Sequence, residues 1–145
     1  MLKKIKIFFV ILLFINFSNL IFAKENFFED GKKKYSEKKL EDSKFLFQRN
    51  IIFNPKDAKS YLYLAKIYNI QENEKEEEKN LNTTLLLDPN NEEATYMLIN
   101  MELKKSNYAK VKDLMKTFSL ICKSLCEKNQ SILESLKNIE PKNES

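Results

Sequence analysis

Apolar residues recur along this chain at three- and four-residue intervals, the spacing of one face of an α-helix. Near the C-terminus, for example, Ile132, Leu136 and Ile139 follow this spacing. The helical patterns stop at short polar connections, two of which contain Pro55 and Pro89, and proline cannot continue a helical hydrogen-bond ladder. The chain has one glycine and three prolines, too few for the frequent turns of a sheet-rich fold. The pattern therefore predicts an all-α protein.

The helical patterns repeat with a period of about 34 residues, a length that indicates stacked structural repeats. Pro55 and Pro89 are one period apart, and each follows a hydrophobic residue and an Asn or Asp. Frames that begin at positions 24, 58 and 92 align in two columns. The first is a small-residue column with Gly31 and Ala65. The second is an apolar column in the second helix with Phe47, Leu81 and Met115. The third frame departs from the pattern with Ile99 in the small column and Lys123 in the proline column.

This pattern resembles the tetratricopeptide repeat (TPR), a helix–turn–helix unit of the same period. The resemblance is clearest in the second frame, at Tyr61, Leu64, Ala65, Tyr68, Leu81 and Pro89. In that frame Glu77 stands where the family usually has a small residue. The resemblance implies an all-α fold in which antiparallel helix–turn–helix repeats stack as a short right-handed α-solenoid, with about three TPR units at 24–57, 58–91 and 92–125. The alternative is a generic helical bundle with two coincidental prolines.

A solenoid exposes the apolar face of its last repeat unless another element covers it. The sequence supplies a candidate capping helix at about 130–139, with Ser131 and Glu134 as a potential capping box. Asp57 and Asn91 are predicted helix N-caps because a short polar side chain there can accept a backbone N–H. The predicted TPR domain thus covers 24–139, and residues 140–145 are predicted to form a disordered tail.

Residues 1–23 have the three-part layout of a secretory signal peptide. Lys3, Lys4 and Lys6 precede an unbroken apolar run at 7–15, and the segment ends in LIFA at Ala23. This run is less than half of the ~20 residues that a membrane-spanning helix needs. We therefore predict cleavage after Ala23 and export, with the periplasm as the expected compartment. An uncleaved membrane anchor facing the periplasm and an ordinary buried helix are the alternatives.

Composition narrows the classes of function. The net charge is +4, but the segment 1–23 holds three of the 25 basic residues and none of the 21 acidic ones. The remainder is nearly neutral and lacks the basic patch of a nucleic-acid-binding domain. The chain has no histidine, the commonest general base and zinc ligand, and no Gly-rich phosphate loop or nucleophile elbow. We predict no enzyme activity, no cofactor, no metal site and no nucleic-acid partner.

Cys122 and Cys126 lie four positions apart near the end of the third frame. In a continuous helix their Cβ atoms would be about 5–6 Å apart, whereas a disulfide needs about 3.8 Å. A bond therefore requires the helix to end or distort, and the repeat register predicts a helix end near residue 122. Export favours a disulfide between the two cysteines. Buried thiols packed beside Phe118 and Leu125, and a redox or metal role, are the alternatives.

In the TPR family, the first helices of the repeats line a concave face that binds peptides or partner helices. Carried over by column, the resemblance gives a candidate groove of Phe28, Lys32, Tyr35, Leu62, Lys66, Asn69, Tyr96, Asn100 and Leu103, and Lys104 is added as the neighbour of Leu103. Ammonium groups flanked by aromatic and amide side chains would suit an acidic or C-terminal peptide segment. The alternative is that the lysines only face solvent.

These observations predict a protein-interaction scaffold or adaptor that binds another protein or a peptide in an extracytoplasmic compartment. Envelope assembly is one expected setting. The competing hypothesis is a structural subunit of a membrane complex held by a retained N-terminal helix. In that case the membrane would be contacted only through residues 1–23.

Overall fold

The computed structural model describes residues 26–139 of the 145-residue chain. The predicted signal peptide at 1–23 and the predicted tail at 140–145 lie outside the described residues. Between residues 26 and 139 there are seven α-helices and no strand. They are α1 (Phe27–Ser36), α2 (Leu40–Phe53), α3 (Ala58–Ile70), α4 (Glu74–Leu87), α5 (Glu92–Lys104), α6 (Tyr108–Ile121) and α7 (Lys128–Ile139). None of these described helices is long and apolar enough to span a membrane.

The helices form three stacked helix–turn–helix repeats. Helices α1 and α2 make repeat 1, α3 and α4 make repeat 2, and α5 and α6 make repeat 3. The second helix of each repeat packs on the first helix of the next, and α7 packs on α6. The predicted all-α solenoid is confirmed.

The first helix of every repeat ends in the same way. Lys38, Glu72 and Ser106 have φ values of 59°, 55° and 57°, and each occupies the same column of its repeat. In repeat 2, the N–H of Asn73 then donates to the carbonyl of Tyr68 at 2.9 Å, which closes the helix end. Glycine usually occupies such a left-handed position. Because none of the three residues is glycine, the sequence carried no local signal for these turns.

The core consists of three clusters, one at each junction. The cluster between repeats 1 and 2 is centred on Phe47, Leu64 and Ile67. The cluster between repeats 2 and 3 contains Leu62, Ala65, Leu81, Ala94, Leu98 and Met101. The cluster between repeat 3 and α7 contains Ile99, Val111, Met115, Phe118, Ile132 and Leu136. Each repeat therefore buries its apolar surface only by stacking on a neighbour.

The small-residue column has a direct steric cause in repeat 1. A Cβ atom added to Gly31 would lie 2.9 Å from Cε1 of Phe47, closer than packed side-chain atoms approach. The Gly31 carbonyl also accepts a buried hydrogen bond from the Ser43 hydroxyl at 2.9 Å. In repeat 2 the same column holds Ala65, which is fully buried. The large Ile99 takes this place in repeat 3 and belongs to the third core cluster.

The predicted cap at Asn91 is confirmed, because its side chain accepts the N–H of Ala94 at 3.0 Å. Asp57 is the N-cap residue of α3, as predicted, but its side chain makes no capping hydrogen bond to the helix backbone. Its carboxylate instead accepts hydrogen bonds from Asn50 Nδ2 and the Ser60 hydroxyl, each at 2.7 Å. Tertiary packing places the buried Asn50 amide beside Asp57 and redirects the carboxylate away from the helix backbone.

The predicted capping box at Ser131 and Glu134 is also wrong. Helix α7 begins at Lys128, so Ser131 lies within its first turns rather than at its start. The Ser131 hydroxyl donates to the carbonyl of Lys128 at 2.9 Å, and Glu134 accepts from Gln130 Nε2 at 3.1 Å. The helix starts earlier because the turn that ends at Glu127 leads directly into it.

Candidate functional site

The first helices of the three repeats form one surface, which we call the inner face. Between α1 and α3, the ring centroids of Tyr35 and Tyr63 lie 5.3 Å apart in an edge-to-face arrangement. Between α3 and α5, Lys66 Nζ lies 2.7 Å from Glu93 Oε1. The inner face is therefore continuous across the repeats, held by an aromatic contact on one side and an ion pair on the other.

The aromatic part of the inner face is anchored in the core. Tyr63 stacks on Phe47 with ring centroids 4.8 Å apart, and Phe28 contacts both rings at centroid distances of 5.8 and 5.9 Å. Burial raises the pKa of Tyr35, with smaller contributions from the negative charge of Glu93 and from Tyr63. Tyr35 is therefore a neutral, half-buried phenol at neutral pH, suited to packing and hydrogen bonding.

Two of the three predicted groove lysines already have acidic partners. Lys32 Nζ lies 3.1 Å from Glu29 Oε2 and 5.5 Å from the centre of the Phe28 ring. Lys66 pairs with Glu93 and lies 4.8 Å from the centre of the Tyr63 ring. Exposed ion pairs of this kind contribute only ~0–1 kcal/mol, so a ligand can compete for the lysines. An anionic ligand would nevertheless have to displace Glu29 and Glu93.

Two of the predicted groove residues lie largely within the packing of the domain. Leu62 is 7% exposed and belongs to the core cluster between repeats 2 and 3. Tyr96 packs against the third cluster, with its ring centroid 6.1 Å from that of Phe118. Both support the inner face from behind and offer little surface to a partner.

The other predicted residues meet at an open cleft between α3 and α5, which we call the asparagine cleft. It has a volume of about 420 Å³. Its lining consists of Asn69, Glu74, Glu77, Met97, Asn100, Met101, Leu103 and Lys104. The structure thus brings together Asn69, Asn100 and Leu103, which the repeat columns assigned to the groove, and the neighbouring Lys104. It adds two methionines and two glutamates that the repeat columns did not assign to the groove.

Glu77 is the least expected residue of the asparagine cleft. It is only 5% exposed, and its Oε1 accepts a hydrogen bond from Asn69 Nδ2 at 2.9 Å. Burial raises the pKa of Glu77, and the hydrogen bond from Asn69 and the charge of Lys104 oppose this shift. The only signal in the sequence was a carboxylate in a column that usually holds a small residue. The sequence showed only that Glu77 departs from the family pattern at this column. The fold shows that Glu77 lines a cleft.

A second buried carboxylate, Glu102, differs in its partners. Lys110 Nζ and Asn107 Nδ2 donate to it at 2.6 and 2.9 Å. Burial raises the pKa of Glu102, but these two donors more than offset that effect and leave the pKa below its ordinary value. Glu102 therefore forms a structural ion pair with Lys110 within repeat 3. Glu77, in contrast, lines a cleft that a ligand can reach.

A second cleft of about 390 Å³ lies at the other end of the α3–α5 boundary. It is lined by Lys59, Leu62, Tyr63, Lys66, Asp88, Asn90, Asn91, Glu92, Glu93, Ile121 and Lys123. The Lys66–Glu93 pair borders it. The α3–α5 boundary therefore offers two open clefts, and both mix polar and apolar side chains.

Cys122 and Cys126 are joined by a disulfide in the structure, with Sγ atoms 2.16 Å apart and Cα atoms 5.2 Å apart. Helix α6 ends at Ile121, and Cys122 has extended backbone angles. The cysteines are thus not on one continuous helix, which satisfies the geometric requirement of the bond. Both thiols are consumed in it.

Glu92, at the start of α5, holds the disulfide loop. Its carboxylate accepts the backbone N–H groups of Lys123 at 2.6 Å, Ser124 at 3.1 Å and Leu125 at 3.3 Å, and also the Ser124 hydroxyl. These donors, that of Lys123 first, lower the pKa of Glu92 to about 2. Lys123 occupies the proline column of repeat 3, and unlike Pro55 or Pro89 it has an N–H to donate. No pattern in the sequence pointed to this role of Glu92.

Within the described part of the chain, no group of three or more Cys, Asp or Glu side chains is arranged to hold a metal ion. The inner face offers amides, paired charges, aromatic edges and methionines. These groups can contact a peptide backbone and its side chains. This combination of fold and face defines the class, an all-α helical-repeat protein whose first helices share one surface.

Comparison with known proteins specifies the type of repeat. No protein-family model matches the chain, and no curated protein matches it by sequence. Among solved structures it is similar to the Yersinia enterocolitica type III secretion chaperone SycD in complex with a peptide of the translocator YopD. The identity is 16% and the TM-score 0.73, over 85% of this chain and 100% of that chain.

Two further structures show the same likeness. PcrH in complex with the chaperone-binding region of PopD has 14% identity and a TM-score of 0.71, over 82% of this chain and 94% of that one. The TPR2B domain of yeast Sti1 in its complex with pHsp70 has 15% identity and a TM-score of 0.70, over 79% and 95%. At such low identity the likeness shows the fold alone, and this chain has a TPR-like fold.

Proposed function

We propose that this protein is a non-enzymatic interaction module that binds a peptide segment of a partner protein along the inner face, with the asparagine cleft as the main contact. The observation that carries the proposal is the open cleft between α3 and α5, where Asn69 and Asn100 meet the apolar Met97. The similar folds of SycD, PcrH and Sti1 TPR2B were each solved with a peptide or protein partner, which supports a partner of this class.

The chemistry of the asparagine cleft suits an extended segment. Each asparagine amide has two donor hydrogens and an acceptor oxygen, which match the alternating groups of a peptide backbone, and Asn69 already uses one donor hydrogen on Glu77. Met97 and Met101 provide adaptable apolar contacts for side chains of different shape. Glu77 and Lys104 lie on the same cleft, so both signs of charge are available for orienting the segment.

A more specific form of the proposal is that the bound segment of the partner is acidic. Lys104 lines the asparagine cleft, and Lys32 and Lys66 lie on neighbouring helices of the inner face. Lys32 and Lys66 are already paired with Glu29 and Glu93. An acidic partner would therefore gain less binding affinity from these lysines than it would from three unpaired ammonium groups. Neutral Lys→Gln changes at these positions are the appropriate test, since Lys66→Glu would set two carboxylates side by side.

The proposed setting is extracytoplasmic, in line with the signal-like pattern at 1–23. The disulfide between Cys122 and Cys126 supports this setting, since structural disulfides persist mainly in oxidising compartments. The intact mass of the full-length gene product, purified from cells, tests whether cleavage occurs after Ala23. A retained segment would instead favour a membrane-held structural subunit.

The binding proposal is tested by site-specific photocrosslinking in cells that express the full-length chain. A photoreactive amino acid is placed at Asn100 in the asparagine cleft, or at the exposed Lys79 on α4 as the control position. We expect a defined partner protein to be captured from Asn100 and not from Lys79. Equal capture from both positions, or none from Asn100, would contradict binding at the inner face.

A substitution then measures the contribution of the cleft to the affinity for the captured partner. Asn100→Arg fills the cleft with a long side chain and should weaken binding by about tenfold or more, as for a central interface residue. Lys79→Arg is the matched control and should leave the affinity unchanged. If Asn100→Arg binds as tightly as the parent, the asparagine cleft is not the binding site.

A further inference from the structure

The carboxylate of Glu77 is buried but only partly paired. The residue is 5% exposed, and its Oε1 accepts the hydrogen bond from Asn69 Nδ2 at 2.9 Å. Its Oε2 accepts no hydrogen bond from residues 26–139, and the carboxylate forms no ion pair with them. A buried carboxylate is costly unless donors and a cation satisfy it. Glu77 therefore keeps one oxygen and a negative charge available to a bound group.

The other charges of the asparagine cleft do not meet this need. Burial raises the pKa of Glu77 most, Lys104 opposes the rise through its positive charge, and Glu74 adds to it. Lys104 lines the same cleft but makes no ion pair with the Glu77 carboxylate. Because Glu74 and Glu77 face Lys104 alone, the lining of the cleft has an excess of negative charge.

Glu102 provides a comparison within the same fold. It is as deeply buried as Glu77, at 2% exposed, yet Lys110 Nζ and Asn107 Nδ2 both donate to it. The fold can thus supply a cation to a buried carboxylate, and among the described residues it supplies none to Glu77. A buried, incompletely paired carboxylate on the wall of an open cleft is typical of a binding site, where a ligand brings the missing cation.

The apolar part of the cleft suits a long aliphatic chain. Met97, Met101 and Leu103 belong to its lining, and methionine adapts its shape to the group that it packs against. The volume of about 420 Å³ is at the small end of the range for ligand sites, so the cleft suits one side chain and not a folded element. Lysine combines an aliphatic stem with a charged head, which matches methionine walls beside a carboxylate.

An ammonium group fits the available oxygen better than other donors do. A neutral backbone N–H could donate to Oε2 but would leave the charge of Glu77 unpaired. A guanidinium group binds best across both oxygens of a carboxylate, and Oε1 already accepts from Asn69. An ammonium group is a compact charge with three donors. It can therefore meet Oε2 of Glu77 and the amide oxygen of Asn100, which lines the same cleft.

We propose that the asparagine cleft selects a lysine of the bound segment, with its ammonium group held by Glu77 and its stem packed on Met97 and Met101. The inference rests on the proposed function, because it names the side chain that peptide binding at this cleft recognises. The segment can still be acidic elsewhere, since Lys32 on α1 and Lys66 on α3 lie outside the cleft.

A selection with random peptides tests this specificity without a known partner. The full-length chain is expressed, the product that cells accumulate is purified, and phage-displayed random dodecapeptides are selected on it. Peptides that bind the parent but not Asn100→Arg are kept, since they use the asparagine cleft. We expect lysine to be enriched in them relative to the unselected library, and the enrichment to disappear when the selection is repeated on Glu77→Gln.

A double-mutant cycle then measures the contact with one selected peptide. Replacing the peptide's lysine with norleucine keeps the stem and removes the charge. We expect this change alone, or Glu77→Gln alone, to weaken binding about tenfold or more. The two changes together should cost little more than either one, because each removes the same contact.

Glu76→Gln is the matched control and should leave the affinity unchanged. Glu76 is the preceding residue, pairs with Lys79 and lies outside the cleft lining. Glutamine at position 77 keeps a carbonyl oxygen for the bond from Asn69, so circular dichroism should show the helix content of the parent. If Glu77→Gln does not fold, the norleucine peptide still tests the proposal on the parent protein.

Three results would overturn the proposal. The first is cleft-binding peptides without lysine enrichment, or additive costs in the cycle, which would make the hydrogen bond between Asn69 and Glu77 purely structural. The second is enrichment of acidic residues with loss of binding in Lys104→Gln, which would assign the cleft to an anion. Both leave peptide binding at the inner face intact. The third is the absence of any peptide whose binding depends on Asn100, which would overturn peptide binding at the cleft together with this inference.

Discussion

The two ends of the solenoid are held together by different forces. At the junction of repeats 1 and 2, the fully buried Phe47 stacks on Tyr63 and fits against Gly31, where an added Cβ would force the Phe47 ring to shift. At the other end, the buried side chains of α7 among residues 128–137 are the aliphatic Ile132 and Leu136. The loop before it is fixed by the Glu92 carboxylate and the disulfide.

This difference has a physical consequence for how each end responds to conditions. Burial of aromatic rings does not depend on protons or on reductants. Hydrogen bonds to a carboxylate weaken when it is protonated, and a disulfide is lost on reduction. We therefore expect the first junction to set the overall stability and the C-terminal end to respond selectively to acid and to thiols.

The largest effect is expected from Phe47→Ala. Removing this ring leaves a cavity between repeats 1 and 2 and should lower the free energy of unfolding by ~3–5 kcal/mol. Urea denaturation followed by circular dichroism measures it. Phe45→Ala, at a residue of the same helix that is 57% exposed, is the matched control and should cost far less. Equal losses from the two changes would show that the aromatic cluster does not dominate this junction.

A smaller effect is expected from the double substitution Cys122→Ser and Cys126→Ser. The disulfide closes a short loop, and its removal should cost at most about 2 kcal/mol. The loss should be local, because the loop joins α6 to α7. Hydrogen exchange should accelerate in 122–139 and stay unchanged in α1–α4. Uniform acceleration along the chain would mean that α7 is part of the same cooperative unit as the first repeats.

The smallest effect is expected from Glu92→Gln, and it depends on pH. The pKa of Glu92 is lowered from 4.5 to about 2 in the folded protein. The stabilisation is therefore fully present above pH 4.5 and is lost as the pH falls towards 2. We expect hydrogen-exchange protection of 122–139 to fall over this window in the parent. In Glu92→Gln it should already be low at neutral pH and show little further dependence on pH.

Glu93→Gln is the matched control for that measurement. Glu93 is the next residue and lines the same cleft as Lys123, but its carboxylate pairs with Lys66 of α3. Its neutralisation should leave the protection of 122–139 as in the parent. If Glu92→Gln and Glu93→Gln behave alike, the hydrogen bonds to Lys123, Ser124 and Leu125 do not hold the loop.

Much of the fold was predictable because it repeats. The spacing of Pro55 and Pro89, with Phe47 and Leu81 in one column, was enough to indicate helix–turn–helix units. The failures were at helix starts. At Asp57, a buried amide from the preceding helix took the carboxylate. At Ser131, the helix had already begun at Lys128.

The candidate site was predictable only in outline. The repeat columns assigned Asn69 and Asn100 to one surface, with Lys104 added as the neighbour of a column residue, and the structure places all three around one cleft. Glu77 lies in that cleft because α3, α4 and α5 cross there. The repeat columns do not show where helices cross. Leu62 shares a column with groove residues, yet its neighbours in the core bury it.

Three features follow from the order of the amino acids alone: the helical period, the helix ends marked by proline and the small-residue column at Gly31 and Ala65. Each of these depends on backbone chemistry or on spacing within one repeat period. Two others required the stacked repeats, namely that Glu92 holds the loop at 123–125 and that Lys66 pairs with Glu93. Those relations depend on which repeats stack and at what angle, and stacking is set by the summed packing of many side chains.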